Sequence, residues 1–426
     1  MKLILLFSLL LTAFLSNAEE EFDDGFDDNI DDIIIETAPP PEKNSVYGSV
    51  NFETHYNLNN NKNISSTKLL LDLTTDYKMD NGFKVNSNLK AYHDFIFYAS
   101  NNYETTPSNY ENELNLNELN IEGSINANLD FKIGRQIVVW GKSDSIRITD
   151  ILNPLDNRAP GLIDIKNLRL GRLMSKLDYY QDNLKFSTAI LHENRFSENP
   201  KFGSDFKNSA DLPENTPSNG LKNTGIALSL TGEFSGYDFG VYFADTYLDK
   251  PYFKEGALQF DNRSKMLGLA YNKVVDSFLL KTEIAYFNNI KYTGLNDTKS
   301  RIDSLIGVEY TGISDGSIGY ELALRKINHY DAIINTQFNN FTQQETYQHA
   351  LRFTQSYLNQ TLNLTAISGV FGKQGDAGGF ARISLEYAID DKLSISGGII
   401  DYIGGSTATD AIKNNDRIFT KISYSF

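Results

Sequence analysis

From Val46 to the last residue the sequence repeats one pattern, a residue that prefers an apolar setting followed by one that prefers water. Val46, Gly48, Val50, Phe52, Thr54 and Tyr56 alternate with Tyr47, Ser49, Asn51, Glu53 and His55. Ile302, Ser304, Ile306, Val308 and Tyr310 alternate in the same way with Arg301, Asp303, Leu305, Gly307 and Glu309. A period of two puts the two classes on opposite faces of a strand, one face for an apolar medium and one for water. Such stretches run to about ten to twelve residues, longer than the usual globular strand. At a rise of ~3.3 Å per residue and a tilt of roughly 40°, that length covers roughly 28 Å, about one hydrocarbon core.

Eighteen strands are expected, near 46–57, 67–78, 82–98, 112–122, 129–139, 171–180, 184–191, 223–233, 237–247, 263–273, 278–287, 301–311, 317–328, 343–357, 360–371, 379–389, 392–402 and 416–426. An even count closes an antiparallel up-and-down barrel, and sixteen is the alternative count. Connections such as Gln181-Asp182-Asn183, Ser235-Gly236 and Asp390-Asp391 are short, whereas 140–170 and 192–222 are long. Short periplasmic turns and long extracellular loops are the asymmetry of an outer-membrane barrel. Proline supports the partition independently: of ten prolines, 39, 40 and 41 precede the pattern and 107, 154, 160, 200, 213, 217 and 251 fall in long connections. A paired strand does not tolerate a residue without an N–H.

Composition narrows the classes further. The absence of cysteine removes thiol nucleophiles and cysteine-ligated metals, and 39 basic against 55 acidic residues lack the basic footprint of a nucleic-acid binder. Most of the acidity is local: residues 19–36 hold ten acids, and without them and Lys2 the balance is 45 acids to 38 bases. Lys2, the apolar run Leu3–Leu15 and Ser16-Asn17-Ala18 read as a cleaved secretory signal over 1–18. Residues 19–45 then read as an acidic periplasmic tail stiffened by Pro39-Pro40-Pro41, a plug for the lumen or a dock for a periplasmic partner, and 46–426 as the barrel. Ile418, Thr420, Ile422, Tyr424 and Phe426 share one face, and the terminal Phe426 looks like the signal read by the outer-membrane assembly machinery.

No catalytic constellation is expected. Gly312-Ile313-Ser314-Asp315-Gly316 matches the hydrolase elbow G-x-S-x-G, but it joins two amphipathic strands instead of a strand and a helix. The five histidines show no metal-ligand spacing, and no cofactor is implied.

The densest stretch is 131–180. Gly134-Arg135-Gln136 with Trp140-Gly141, Arg147-x-Thr149-Asp150 and Asn153-Pro154-x-Asp156 resemble the proteobacterial outer-membrane family catalogued as domain of unknown function 1302. That resemblance implies a porin-type barrel and, weakly, hydrophobic or lipid cargo; it supplies no substrate. Independently, Lys142, Asp144, Arg147, Asp150, Asp156, Arg158, Arg169 and Arg172 in one long connection are candidates for a pore constriction at 140–172. An external loop ordered by the same ion pairs is the alternative. Arg135 shares parity with Phe131, Ile133 and Ile137, so a bulge at Gly134 is expected to turn it into the lumen.

Inward positions are expected to include Lys84, Lys90, Asp303, Glu309, Glu321, Arg325, Arg352 and Arg382, a wet lining of both signs. The sequence therefore points to a porin-like channel for small solutes in the outer membrane of a Gram-negative bacterium, not an enzyme. The alternative is the outer-membrane component of an export or lipid-transport system. Contact with outer-membrane lipid is implied, and a homo-oligomer is left open.

Overall fold

The computed structural model describes residues 44–59, 62–163, 165–335 and 342–426. The expected signal segment 1–18 and the tail up to residue 43 lie outside them. Of the two units into which the chain divides, the second, Asn44–Phe426, is the barrel.

Eighteen strands form one closed antiparallel sheet. They are β1 (Asn44–Asn57), β2 (Ile64–Lys78), β3 (Lys84–Asp94), β4 (Asn112–Asn126), β5 (Leu129–Gln136), β6 (Arg172–Gln181), β7 (Leu184–Leu191), β8 (Gly225–Phe234) and β9 (Tyr237–Tyr247). The second half comprises β10 (Arg263–Val275), β11 (Phe278–Ile290), β12 (Lys299–Ile313), β13 (Gly316–Ile327), β14 (Glu345–Tyr357), β15 (Leu362–Phe371), β16 (Gly379–Ala388), β17 (Leu393–Ile403) and β18 (Arg417–Ser425). Each strand pairs with the next in sequence, and β1 closes on β18 with Val50 opposite Tyr424 and Tyr56 opposite Ile418. Phe426 completes the seam by exchanging backbone hydrogen bonds with Gly48. No backbone edge is left open along this seam, which a sheet in hydrocarbon requires.

The alternation read from the sequence becomes two faces. Leu267, Leu269 and Ile306 point outward and are more than half exposed. Asp303 and Glu321, one residue out of phase with their apolar neighbours, point inward and are buried. Aromatic pairs gather at the short-turn rim, with Phe234 stacked on Tyr237 at 5.0 Å and Phe278 tilted against Tyr310 at 4.8 Å. Amphipathic rings at that level mark the boundary between hydrocarbon and water. The Gly312–Gly316 motif is the hairpin between β12 and β13, so its serine sits in a turn and on no elbow. Asp315 supplies that turn with a positive φ of 53°.

The expected bulge lies one strand away from Gly134. Pairing between β4 and β5 runs without a break through Asn120 opposite Gly134 and Leu119 opposite Arg135. The register shifts instead between β3 and β4, where Asn88 faces Glu118 and Leu89 faces Leu116, leaving Asn117 as the extra residue. The extra residue flips the parity of β4, so Leu114 and Leu116 below it in number and Leu119 above it are all exposed. Arg135 consequently stays on the outward face, in the row of Leu119 and Leu173, and is not turned into the lumen. Its guanidinium is satisfied there by Glu193 Oε1 at 2.7 Å and the carbonyl of Gly171 at 3.3 Å.

Candidate functional site: a loop folded into the barrel

The connection between β5 and β6, residues 137–171, turns inward and is held by the barrel wall. Two carboxylates on inward positions do most of the holding. Glu283 on β11 accepts the backbone N–H groups of Lys142 (2.6 Å), Ser143 (2.8 Å) and Thr149 (3.1 Å), and the Thr149 hydroxyl (2.8 Å). Glu321 on β13 accepts those of Asp144 (2.9 Å), Ser145 and Ile146 (both 3.2 Å), and the Ser143 hydroxyl (2.7 Å). A loop that leaves its strands behind must find partners for its N–H groups elsewhere, and here the opposite wall provides them.

Apolar packing follows the same path. Trp140, Ile146, Ile148 and Leu152 are buried against small inward residues, among them Ala244, Ala270, Ala285 and Ala323. Trp140 stacks on Tyr242 of β9 with ring centroids 4.9 Å apart. The small residues of β9–β13 make room for this layer, and larger side chains there would collide with it. Gly141, with φ of +83°, holds a conformation that strains any L side chain, and a Cβ there would also push on Glu283 Oε1 at 2.6 Å.

The eight candidate constriction residues fall into separate groups. Lys142 pairs with Asp238 at 2.6 Å, and Asp144 with Lys281, so both are spent on the β9–β11 wall. Asp150 sits inside the loop between Arg147 (3.1 Å) and Arg169 (2.8 Å). Asp156 and Glu113 of β4 both bind Arg158 at 2.6 Å. Arg172 reaches the carbonyl of Leu152 at 3.3 Å and the hydroxyl of Thr246 at 3.4 Å. Seven of these charges form ion pairs with one another or with the wall, and Arg172 is held by neutral groups. Of the other motif residues, Gln136 donates to the carbonyl of Met174, and Asn153 bridges Val138 N–H and the carbonyls of Gln136 and Leu170. Pro154 follows directly, and its carbonyl accepts from Leu170 N–H.

The inward charges read from the sequence divide into two environments. Asp303, Glu321 and Arg382 are at most 6% exposed; Asp303 binds Arg301 at 2.7 Å, and Arg382 holds the loop carbonyls of Gly161 and Leu162. Arg325 lies between Asp303, Gln348 and the carbonyl of Arg147. Glu309 pairs with Lys281 at 3.2 Å. Arg352, opposite Gly319 and Ile367, shares the inward row with Ala350. On the β2–β5 side the picture differs: Lys84 and Lys90 remain 32% and 36% exposed, beside Asp76 (3.4 Å) and Asp72 (3.8 Å). Lys132 and Glu122, 27% and 34% exposed, face them from β5 and β4.

A second connection, 192–224, also reaches across. Asp205 binds Arg417 of β18 at 3.1 Å, and the Arg417 guanidinium lies over Phe206, 4.7 Å from its ring centroid. Glu283 was not singled out in the sequence, and this second loop was read there only as a long connection. A lone glutamate on an inward row looks like any lumen residue until the loop that uses it is placed.

A closed eighteen-strand wall with apolar outward rows, an aromatic rim and an inward-folded loop defines an outer-membrane β-barrel of the porin type. Residues 27–426 match the family described as Protein of unknown function (DUF1302), and the chain belongs to it. No curated protein matches the sequence. Solved structures share the fold. OccAB4 of Acinetobacter baumannii is 10% identical, with TM-score 0.53 over 90% of this chain and 98% of that one. OccK2 (OpdF) of Pseudomonas aeruginosa, solved in complex with glucuronate, is 11% identical, with TM-score 0.53 over 90% and 96%. The outer membrane protein OpdK of Pseudomonas aeruginosa is 13% identical, with TM-score 0.50 over 90% and 99%. At such identities the likeness is one of fold.

Proposed function

We propose that the protein is a porin-like channel that passes small polar solutes across the outer membrane, with 137–171 as the segment that narrows its bore. One observation carries this reading: the two halves of the inner wall differ in their access to solvent. The β9–β13 half is covered by the loop, with Lys281 5% and Glu309 26% exposed, while Asp72, Lys84 and Lys90 on β2 and β3 keep 32–41% of their surface accessible. Charged side chains that stay solvated inside a lipid-embedded barrel line water. The path therefore runs along β2–β5, where opposite signs alternate, and the loop forms its other side.

Anionic solutes are favoured at the loop-side mouth. Lys250, in the connection after β9, donates to the Thr342 hydroxyl at 3.2 Å and lies within electrostatic reach of Arg301, Arg325 and Asp303. The glucuronate carried by OccK2 is a solute of this class. Liposome swelling tests the reading: vesicles carrying the refolded protein should admit glucuronate and small neutral sugars, each faster than a trisaccharide. Swelling no faster than in protein-free vesicles for every solute refutes it.

A further inference from the structure

The barrel wall is uneven in height. β5 and β7, with eight residues, are the shortest strands; β6, β8, β15, β16 and β18 have nine or ten, whereas β1, β2, β4, β10, β11, β12 and β14 have thirteen to fifteen. At ~3.3 Å per residue and a tilt of roughly 40°, an eight-residue strand rises about 20 Å, short of the ~25 Å apolar band of such barrels. Above Leu119, β4 has no β5 partner: their pairing covers only 119–126. The gap is filled by side chains and loop backbone, with Gly171 N–H on Asn117 Oδ1 at 3.0 Å and Arg195 on the carbonyl of Gly171 at 2.8 Å.

This low sector also carries an outward charge at unusual depth. Six strand residues (129–134) separate Arg135 from the turn before β5, whereas ten (266–275) separate outward-facing Lys265 from the turn after β10. Arg135 and Glu193 thus meet on the outer surface near the upper edge of the apolar band, 26% and 18% exposed. Next to them, His192 Nε2 lies 2.8 Å from Ser175 Oγ on the same face. These groups are paired with one another within the chain, yet an arginine on the lipid face is unfavourable to a degree that grows with depth. Beside and beneath the charges, Leu173, Ile133 and Leu177 form an apolar surface.

We propose that the β4–β7 sector is the contact surface for a second copy of this chain. Two low walls placed side by side shield each other's incomplete band. The charge pattern is self-complementary: in a two-fold contact the arginine of one copy meets the glutamate of the other, as an isologous interface demands. The apolar rows below provide the close-packed area. This inference does not depend on the channel reading.

The cysteine-free sequence makes the test direct. Single substitutions Ile133→Cys and Leu177→Cys place a thiol in the sector, while Leu269→Cys and Ile306→Cys place one on the distant wall. Oxidation in native outer membranes should give disulfide-linked dimers from the first pair at least tenfold more than from the second. Light scattering of the detergent-extracted wild type should give two chains. Arg135→Glu should shift it to one chain, and Arg135→Glu combined with Glu193→Arg should restore two. Heat-modifiable migration on gels establishes that each variant is folded. A folded wild type that scatters as one chain, with equal cross-linking from both walls, overturns the proposal and leaves the sector facing lipid.

Discussion

Glu283 and Glu321 stand on strands separated only by β12, and together they hold one continuous segment of chain, residues 142–149. Between them they accept six backbone N–H groups from a loop that has left its own strands. Each is a charge-assisted bond, and removing such an acceptor leaves buried donors unpaired at about 1–3 kcal/mol apiece. The wall does not need these bonds, because its strand ladders are complete without them. Glu283→Gln with Glu321→Gln should therefore free the loop while leaving the barrel closed. Heat-modifiable migration should be unchanged, and proteolysis within 137–171 should become faster.

Trp140 provides a reporter of the same event. It is the only tryptophan in the chain and is 7% exposed against Tyr242. The folded wild type should emit at short wavelength and resist quenching by iodide. The double glutamine variant should emit further to the red, with quenching increased severalfold. Unchanged spectra would mean that the apolar contacts alone hold the loop.

Lys250 predicts a pH response. Burial, reinforced by Arg301 and Arg325, pushes its pKa down to about 8 from 10.5. Its ammonium is charged below that value and neutral above it, so raising the pH from 7 to 9 removes one positive charge from the mouth. Anion preference, read from the reversal potential in a salt gradient, should fall across that interval. Lys250→Gln should show the lower preference at both pH values. Because the unfolded state holds the extra proton between about 8 and 10.5, stability should rise with pH there.

Deleting Asn117 tests the bulge. Without the extra residue β4 becomes regular: Leu116 follows Glu118 directly, Leu114 and Leu116 keep facing lipid, and what is lost is the Asn117 Oδ1 acceptor of Gly171 N–H. The variant should still reach the heat-modifiable form, with a lower unfolding midpoint in urea; failure to fold would mean that closure needs the bulge itself. Gly171→Ala attacks the same seam, since its Cβ would fall 1.7 Å from the carbonyl oxygen of Asn117. It should lower the unfolding midpoint in urea, while Gly236→Ala, with no atom near its Cβ site but a strained φ of +80°, should do so less.

The strands were legible because lipid and water impose a strict period of two, and that period survives in each strand without knowledge of its neighbours. β7 and β9 have the bounds read from the sequence, and most others differ by a few residues. Arg135 was misread for a related reason. Its parity placed it outward, and the cost of an outward arginine suggested a local bulge at Gly134. The structure keeps the parity and gives Arg135 a carboxylate partner from a distant loop, while the bulge serves β4. The loop itself has no period to read. Its charges were visible, but their partners, Asp238, Lys281, Glu283 and Glu321, lie on strands roughly a hundred or more residues away, where each looked like one more inward residue. The chemistry of the loop was on the page, and the pairing that gives it meaning was not.

The central claim is that water runs through this barrel beside a loop that narrows it. Single-channel recording in planar bilayers, comparing the wild type with the Glu283→Gln, Glu321→Gln variant, tests it most directly. We expect a steady current proportional to salt concentration in the wild type, and a larger, noisier one in the variant. No current in either protein, or equal currents in both, would contradict the account.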